Sequence, residues 1–308
     1  MELVENPCEI CGSGDWLPYR QVGEWRLVRC SSCGGVRLNP RPSEAELGRL
    51  YSQDYFVDHQ VQDDHSPEAV AQEIELRLDV ADRLAREVEA PCRWLDVGCA
   101  SGYLIAAGMR LGYEVEGVEI SEWAARFAAQ ELGLHVFRGT LSEYVTRFRE
   151  RSFNLVTAMA YLEHSSHPQQ DLRHIAQLLG PGGVIVARVP NLASFDRLWH
   201  GQAWRGWSVP YHLYHFTPKD LMEAMRRQGL EPYRIDLGFW NPAVHLREAL
   251  MGDGLRADHP LEGRRPSQTR GRDLSGQDAT PRQAARIWLK SILGRVFTGR
   301  DMIIYARK

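Results

Sequence analysis

The stretch from residue 95 to residue 102 constrains the fold of this chain more than any other. Leu95 leads to Asp96, and Gly98 and Gly102 follow, four residues apart. An apolar run that ends on an acid and then turns at glycines is typical of a strand, a tight turn and a helix start, where open α/β sheets bind nucleotides. The spacing lacks the Gly-x-Gly-x-x-Gly pattern that lets a backbone approach a pyrophosphate, so it favours a nucleoside without phosphates over a dinucleotide.

A second acid follows at the distance that such a site needs. Residues 113–120 have the pattern of a second strand, which ends close to Glu119, 21 residues after Gly98. A carboxylate in this place accepts hydrogen bonds from two ribose hydroxyls. The sequence therefore predicts that the glycine turn and Glu119 lie on opposite sides of one nucleoside.

Three more motifs continue the pattern: residues 152–157 as a fourth strand, Leu162-Glu163-His164 just beyond it, and residues 178–183 before a fifth strand. With these motifs, residues 91–190 resemble the class I S-adenosylmethionine (SAM) dependent methyltransferases. In that family the glycine turn lies against the methionine part of SAM, and the acid of the second strand holds the ribose. The resemblance assigns cofactor contacts to Asp96, Gly98, Cys99, Gly102, Glu119, Ile120 and Leu141.

The chain departs from the family at two positions. Ala100 stands where many members have glycine, and Asn154 replaces the usual aspartate of the fourth strand. Alanine is the smallest substitute for glycine, and the role of the aspartate in this fold is often structural. We therefore expect both departures to be compatible with the family.

The N-terminal cysteines are spaced as in a zinc ribbon. Cys8 and Cys11 form one close pair, and Cys30 and Cys33 form a second, with 18 residues between the pairs. Two turns of this kind can direct four thiolates at one tetrahedral Zn²⁺, and a site with four protein ligands has no open position, so the metal would be structural. The alternative is two disulfides. We predict a zinc ribbon over residues 1–42.

A helical connector is expected over residues 43–90. Ser43 and Glu46 have the spacing of a capping box, and Ser66 with Pro67 opens a longer helix whose apolar residues recur every three or four positions. In methyltransferases that resemble this chain, the segment before the first strand often covers SAM. Periodicity shows only that one helix face is buried, so both a lid and plain packing remain open.

Strands and helices alternate between residues 91 and 190. This alternation predicts an α/β fold with a doubly wound, mostly parallel sheet, and the resemblance implies a Rossmann-like sheet of seven strands. The predicted strands are 93–97, 113–120, 134–137, 153–159 and 184–189, and the predicted helices are 103–110, 122–132 and 169–179.

The C-terminal part completes a methyltransferase domain that we place at residues 91–308. An aromatic insertion at 191–216 faces the expected acceptor, a helix starts at Thr217, and residues 231–239 and 301–307 are the sixth strand and the antiparallel seventh. Residues 252–281 contain almost no large apolar side chain and predict a mobile loop. Residues 282–297 predict a basic amphipathic helix that packs on the sheet or contacts a membrane surface weakly.

Methyl transfer from a sulfonium is an in-line displacement, and a hydroxyl or acidic carbon acceptor must also lose a proton. Histidine suits that task near neutral pH. The candidates are Glu163 and His164, after the fourth strand, and His212, before a helix start. Both regions follow carboxyl ends of strands, where ligands bind in such sheets. We predict His212 as the general base, against the simpler alternative of a buried, hydrogen-bonded ring.

Two further resemblances concern these side chains. Residues 160–164 resemble the Glu-x-x-Glu-His motif with which ubiquinone-pathway O-methyltransferases bind a divalent ion, but Ala160 stands at the first glutamate position. The segment around His212 is similar to that of zinc-ribbon sugar C-methyltransferases, in which a Tyr-x-x-His pair precedes the helix start. Here Val209 occupies the tyrosine position.

Composition limits the partners. The chain has a net charge of −3, and residues 1–42 contain five arginines and five acids. This balance does not favour strong attraction to a nucleic-acid backbone. We find no apolar run of membrane-spanning length and no signal-peptide pattern, so we expect a cytoplasmic protein. The leading hypothesis is methylation of a small molecule such as a sugar, a glycan precursor or a secondary metabolite. An RNA methyltransferase and a non-catalytic SAM-fold binding protein remain alternatives, and the oligomeric state is open.

Overall fold

The computed structural model describes residues 1–50, 66–238 and 298–308 and begins with short antiparallel strands. These strands are β1 (Leu3–Val4), β2 (Trp16–Val22), β3 (Trp25–Cys30), β4 (Val36–Leu38) and β5 (Arg41–Pro42). β2, β3 and β4 pair in succession. β1 pairs with β5, which places the start of the chain next to residue 42. The two cysteine pairs lie at the turns of this N-terminal unit.

Two helices connect this unit to the main sheet. Helix α1 (Glu44–Leu50) begins after Ser43, whose hydroxyl accepts the backbone N–H of Glu46 as the predicted cap. Helix α2 (Pro67–Ala85) begins at Pro67, and its cap Ser66 accepts the N–H of Ala69. Proline suits the first helical position because the N–H that it lacks would have no partner within the helix.

The central sheet is doubly wound and mostly parallel, as predicted. The elements of the main domain follow the chain as β6 (Arg93–Val97), α3 (Tyr103–Arg110), β7 (Glu114–Glu119), α4 (Glu122–Gln130), β8 (Val136–Arg138), α5 (Leu141–Arg147), β9 (Phe153–Met159), α6 (Pro168–Leu178), β10 (Leu179–Pro190), α7 (Phe195–His200), β11 (Tyr214–His215), α8 (Pro218–Arg226), β12 (Glu231–Asp236) and β13 (Asp301–Arg307), of which β11 belongs to the small sheet. In the described residues seven of these strands join in the order β12-β13-β10-β9-β6-β7-β8. The five from β10 to β8 are parallel, and β13 is antiparallel to both of its neighbours, as predicted.

Element boundaries differ from the predictions at a few places. β10 begins at Leu179, before the predicted strand 184–189, because the chain pairs with β9 at Leu179 and again from Val184, with a register shift between them. Gly182, at φ +72°, lies within this irregularity. Helix α5, which the sequence analysis did not assign, starts with a capping box between Thr140 and Glu143.

The hydrophobic core extends from the N-terminal unit into the main domain. Leu27 and Leu38 of the small sheet belong to the same buried cluster as Val156 and Ile185 of the central sheet. The other face of the central sheet has its own cluster, in which α2 contributes Leu84 and packs beside α3. The long helix before the first strand is therefore packed on the domain.

Strand β11 joins the small sheet to the aromatic insertion. Tyr214 and His215 pair antiparallel with β4, which makes β11 the edge strand of a sheet ordered β11-β4-β3-β2. The backbone N–H of Leu38 also donates to the carbonyl of Leu213 at 2.9 Å. The N-terminal unit thus contacts the part of the domain in which the acceptor was expected.

The predicted mobile loop 252–281 and basic helix 282–297 lie outside the described residues. Among the helices of residues 1–50, 66–238 and 298–308, none has both the length and the apolar character needed to cross a membrane.

Candidate functional site

The glycine turn after β6 is tightly packed. Gly98 has φ +72°, and a Cβ atom on it would lie 2.7 Å from Cδ2 of Tyr161. Gly102 has φ +80°, and its Cβ would lie 2.6 Å from Cδ1 of Leu134. Both the backbone conformation and the lack of space require glycine at these two positions. Glycine at these positions therefore lets the main chain of the turn lie closer to the neighbouring side chains than any other residue would allow.

Glu119 lies directly beside this turn. Its Oε2 accepts the backbone N–H of Ala100 at 2.9 Å, and its Oε1 accepts that of Ser121 at 2.7 Å. The side chain is buried, and desolvation raises its pKa against the opposing effect of these hydrogen bonds. A carboxylate has about four lone-pair directions, so two remain for hydroxyl donors. The structure brings the predicted turn and the predicted ribose acid together.

Asp96 is held in place by hydrogen bonds in the buried core. The hydroxyl of Thr157 donates to Asp96 Oδ1 at 2.5 Å and accepts from the indole N–H of Trp94 at 2.7 Å. Burial raises the pKa of Asp96 to about 7, the Thr157 bond opposes this shift, and the nearby Glu119 adds to it. The carboxyl group is thus fixed at the carboxyl end of β6.

The other predicted cofactor residues lie in the segments that follow β6, β7 and β8. Cys99 is buried, with its Sγ 2.6 Å from the position of a Cβ on Gly117. Ile120 is exposed after β7, and Leu141 is buried as the first residue of α5. Asn154 lies at the opposite end of the strands, where its Oδ1 accepts the backbone N–H of Arg93 at 2.9 Å. It joins β9 to the start of β6.

The three predicted catalytic side chains lie together. One ligand atom each from Glu163, His164 and His212 lies within 4.8 Å of the others, and the two imidazole centroids are 4.7 Å apart, edge to face. Nδ1 of His164 is 3.1 Å from the carbonyl of Tyr211, and Nδ1 of His212 is 2.9 Å from that of Gly206. A carbonyl only accepts, so each Nδ1 carries the proton in the neutral ring.

Burial controls the charge of this cluster. It lowers the pKa of both imidazoles, that of His164 well below the usual value, so both rings are neutral near pH 7. It also raises the pKa of Glu163 to about 8. Glu163 Oε2 has no hydrogen-bond partner among the described residues, and its side chain is 1% exposed. A buried oxygen without a partner is costly unless a ligand, water or ion satisfies it.

A cavity of about 220 Å³ opens beside this cluster. It lies at the carboxyl ends of β9 and β10, where Ala160, Glu163 and Pro190 meet Ser208 and His212 of the aromatic insertion. Ligands bind at this end of open α/β sheets. The cavity is also lined by Arg188, Arg300 and Asp301, which were not predicted from the sequence. A signal for one of them was an arginine inside the otherwise apolar strand 184–189.

Two tryptophans of the insertion are packing residues. Trp204 and Trp207 are each 2% exposed and meet edge to face at 4.9 Å between centroids. Their indole N–H groups donate to Asp196 Oδ2 and to the carbonyl of Gly201. Neither of them is among the residues that line the cavity.

The four N-terminal cysteines converge. All four thiols are free, with Cys8 and Cys33 Sγ 3.6 Å apart and Cys11 and Cys30 Sγ 3.5 Å apart. A disulfide would place sulfurs about 2.05 Å apart. Four sulfurs at the corners of a tetrahedron with Zn–S of about 2.3 Å lie slightly farther apart than these pairs. The donor set therefore fits one tetrahedral zinc ion.

Comparison with known proteins gives the family. A family model described as a methyltransferase domain matches residues 67–235. The ubiquinone biosynthesis O-methyltransferase of Ruegeria pomeroyi is 32% identical over 158 residues, which is 46% of this chain and 61% of that enzyme. The enzyme of the same name from Cereibacter sphaeroides (strain ATCC 17025 / ATH 2.4.3) is 31% identical over 168 residues, 50% of this chain and 68% of that one. A crystal structure of a SAM-dependent methyltransferase from Archaeoglobus fulgidus has 20% identity, a TM-score of 0.49, and coverage of 77% of this chain and 98% of its own.

The chain spans 61% of the length of the Ruegeria relative, so the likeness concerns part of that enzyme. The family match covers more than half of the 308 residues and includes the glycine turn, Glu119 and the histidine cluster. This protein belongs to the SAM-dependent methyltransferases.

Proposed function

We propose that this protein transfers a methyl group from SAM to a small-molecule acceptor in the cavity beside Glu163 and His212, with His212 as the general base. The observation that carries the proposal is the position of that cavity. It opens at the carboxyl ends of β9 and β10, in the same sheet whose β6 and β7 end at the glycine turn and Glu119. Acceptor and cofactor would approach each other across one edge of the sheet.

The cofactor residues of the proposal are Asp96, Gly98, Cys99, Gly102, Glu119, Ile120 and Leu141. Glu119 would bind the ribose hydroxyls with the lone pairs that Ala100 and Ser121 leave unused. The space beside the Cα of Gly98 is filled by the ring of Tyr161, which fixes the turn against which the ligand would lie. When bound, SAM supplies an electrophilic methyl group on a sulfonium.

His212 fits the role of a base for chemical reasons. Its Nδ1–H donates to the carbonyl of Gly206, which fixes the ring orientation and leaves the lone pair on Nε2. Because burial lowers its pKa, the ring is unprotonated at neutral pH and can accept a proton from an acceptor hydroxyl. The wall that carries His212 is held in place, since the carbonyl of Glu163 accepts the N–H groups of Leu213 and Tyr214.

The same three side chains support a second use, the binding of a divalent ion by Glu163, His164 and His212. Each imidazole donates Nδ1–H to a carbonyl, as metal-ligating histidines do, and Glu163 contributes a buried oxygen without a partner in the described residues. His212 would then take the place of the first glutamate of the Glu-x-x-Glu-His motif, a position that Ala160 occupies in this chain. The two uses differ in one measurement: Mg²⁺ or Mn²⁺ restores turnover to chelator-treated protein only if an ion is required.

We further propose that Cys8, Cys11, Cys30 and Cys33 bind one Zn²⁺ with a structural role. The convergence of four free thiols supports this assignment. A site with four thiolates offers no open position to a substrate. The zinc would hold together the small sheet on which β11 pairs.

The function is tested with SAM that carries a labelled methyl group. Full-length protein is incubated with the low-molecular-weight and macromolecular fractions of a cell extract, and label is counted in each. We expect label in small molecules. Label in RNA would support an RNA methyltransferase, and binding of S-adenosylhomocysteine without any transfer would support a non-catalytic protein.

The base is tested in the same assay with variants. His212→Gln should bind S-adenosylhomocysteine like the wild type and lose about a hundredfold or more in turnover. His135→Gln, at an exposed histidine after α4, is the matched control and should leave turnover unchanged. Full turnover in His212→Gln would exclude the assigned base.

A further inference from the structure

A relay of two hydrogen bonds in the core ends on Asp96. The indole N–H of Trp94 donates to Oγ1 of Thr157 at 2.7 Å, and the hydroxyl of Thr157 donates to Oδ1 of Asp96 at 2.5 Å. Trp94 and Thr157 are 0% exposed, and Asp96 is 3% exposed. The register of the sheet produces this relay, because Asp96 of β6 pairs with Thr157 of β9, and Trp94 lies two residues before Asp96 on the same face of β6.

Trp94 sets the direction in which the protons of the relay point. An indole N–H can only donate, so Oγ1 of Thr157 is the acceptor in the first bond. The hydroxyl has one proton of its own, and Asp96 Oδ1 is its acceptor within the part of the chain that the structure describes. A proton on this oxygen would leave the buried hydroxyl without an acceptor, which costs free energy. The relay therefore keeps Oδ1 of Asp96 unprotonated.

The second oxygen of Asp96 is available to a ligand. Oδ2 accepts no hydrogen bond from residues 1–50, 66–238 and 298–308, although the side chain is almost fully buried. A buried carboxylate oxygen is costly without a donor. Asp96 also stands at the end of β6, two residues before Gly98 and the turn against which the cofactor is proposed to lie. A donor group of the cofactor is therefore suited to Oδ2.

The surroundings of Asp96 oppose its negative charge. Burial raises its pKa to about 7, the bond from Thr157 opposes this shift, and Glu119 at the end of β7 adds to it. The other titratable group beside it is the thiol of Cys99 on the turn, whose own pKa burial raises well above the usual value. Of these described groups, Thr157 is the one that favours the anion. A cation bound at Oδ2 would favour the anion further.

We propose that Thr157 and Trp94 are positioning residues for the cofactor: through the relay they hold Asp96 as an anion whose Oδ2 accepts a hydrogen bond from the ammonium group of SAM. The inference rests on the proposed function, in which Asp96 is a cofactor residue, and adds two fully buried residues behind it. The methionine part of SAM carries an ammonium and a carboxylate, and of these the ionised carboxylate has no proton to donate. A charged hydrogen bond to the ammonium would be among the stronger contacts of the site.

Two ligands separate the two halves of the cofactor site. S-adenosylhomocysteine carries the ammonium group, and 5′-methylthioadenosine has the same adenosine and thioether without the amino acid. Each is titrated by calorimetry into full-length protein at neutral pH. In Thr157→Val, affinity for S-adenosylhomocysteine should fall about tenfold or more, and affinity for 5′-methylthioadenosine should stay within about twofold of the wild type. Equal losses for both ligands, or no loss for either, overturn the proposal.

Matched variants separate the hydroxyl from the fold. Thr157→Ser keeps the hydroxyl and should keep the wild-type ratio of the two affinities within about threefold. Thr146→Val makes the valine change at an exposed threonine of α5, whose hydroxyl donates to the carbonyl of Ser142, and should bind both ligands like the wild type. If Thr157→Ser loses the ratio as Thr157→Val does, the hydroxyl is not the group that matters and the proposal is overturned.

Trp94→Phe tests the first bond and carries the test if Thr157→Val does not fold. It removes the N–H that directs the hydroxyl, so binding of S-adenosylhomocysteine should weaken by about threefold or more relative to 5′-methylthioadenosine. An unchanged ratio contradicts the relay.

A double-mutant cycle shows whether Thr157 acts through Asp96. In an Asp96→Asn background, Thr157→Val should change the ratio of the two affinities by less than about twofold, because the anion is already lost. The same effect in both backgrounds overturns the proposal. Wild-type protein that binds the two ligands equally also overturns it and leaves the proposed function intact. Failure to bind S-adenosylhomocysteine is the separate result that counts against the proposed function, and the inference falls with it.

Discussion

The carboxylate of Glu119 accepts a hydrogen bond from the backbone N–H of Ala100 at 2.9 Å and thereby joins the end of β7 to the glycine turn after β6. Ala100 has φ +49°, in the left-handed region that alanine rarely adopts. The same carboxylate accepts the N–H of Ser121 at the start of α4. One buried side chain thus fixes the shape of the proposed cofactor site and contributes the group expected to bind the ribose.

Glu119→Gln is predicted to weaken binding of S-adenosylhomocysteine by about tenfold to a hundredfold, because an amide replaces the charged acceptor of the ribose hydroxyls. Calorimetric titration measures the change. Glu122→Gln, three residues later and exposed on α4, is the control and should bind like the wild type. Wild-type affinity in Glu119→Gln would remove Glu119 from the ribose role.

Ala100→Gly is predicted to raise the free energy of unfolding by up to about 1 kcal/mol. Relief of the left-handed strain, about 1–2 kcal/mol, exceeds the extra entropy that glycine gives the unfolded chain, about 0.4–1 kcal/mol. Urea denaturation measures the difference. Ala106→Gly makes the same chemical change inside α3 and should instead destabilise by about 1 kcal/mol. Equal destabilisation by both substitutions would contradict the strain at Ala100.

Much of the fold could be predicted because its signals are local. Strands 93–97, 153–159 and 301–307 and helix 103–110 have the predicted bounds, since each has a clear apolar period and a turn or cap at its ends. The family resemblance supplied the antiparallel position of β13. Helix α5 was not predicted, although Thr140 and Glu143 form a capping box, because its seven residues contain little apolar periodicity.

The candidate site could be predicted only in part. Glu163 and His164 were predicted from one motif and His212 from another, and the two regions meet where the backbone of residues 213–214 pairs with the carbonyl of Glu163. That pairing joins residues far apart in the sequence, and no local pattern indicates it. Arg300 and Asp301 were not predicted for the same reason. They lie at the cavity because β13 pairs antiparallel with β10, which places Asp301 opposite Pro190.

Loss of the proposed zinc is predicted to lower turnover and to leave cofactor binding unchanged. In the Cys30→Ser variant the metal no longer supports β3 or the strand β4 that pairs with it. We expect this change to break the hydrogen bond from Leu38 N–H to the carbonyl of Leu213, whose own N–H donates to the carbonyl of Glu163. Turnover should fall about tenfold to a hundredfold, since small displacements of catalytic groups have effects of this size. Affinity for S-adenosylhomocysteine should stay near the wild-type value.

The control for this prediction is Cys92→Ser, at a buried cysteine just before β6 and away from the cluster. It should keep one zinc per chain by elemental analysis, and turnover should be retained. If Cys30→Ser loses its zinc and keeps full turnover, the N-terminal unit does not support the acceptor wall.

The stability of the protein is predicted to depend on pH through Glu163. Burial raises its pKa from 4.5 to about 8, so between these values the folded state holds a proton that the unfolded state has released. The contribution of Glu163 to stability is therefore fully present below about pH 4.5, decreases as the pH rises, and levels off above about pH 8. Glu163→Gln imitates the protonated acid at every pH and lacks this dependence.

The measurement is the free energy of unfolding of wild type minus that of Glu163→Gln, determined by urea denaturation across this pH range. Asp96, whose pKa burial raises to about 7, titrates in both proteins and cancels in the difference. The difference in free energy of unfolding should decrease steadily toward pH 8. As the pH rises, the folded wild type must either keep the proton on Glu163 or bury a charged carboxylate, and both cost free energy. A difference that stays constant, or that rises with pH, would mean that Glu163 is ionised in the folded protein. A bound cation would then be the better explanation for the Glu163 oxygen that has no hydrogen-bond partner among the described residues.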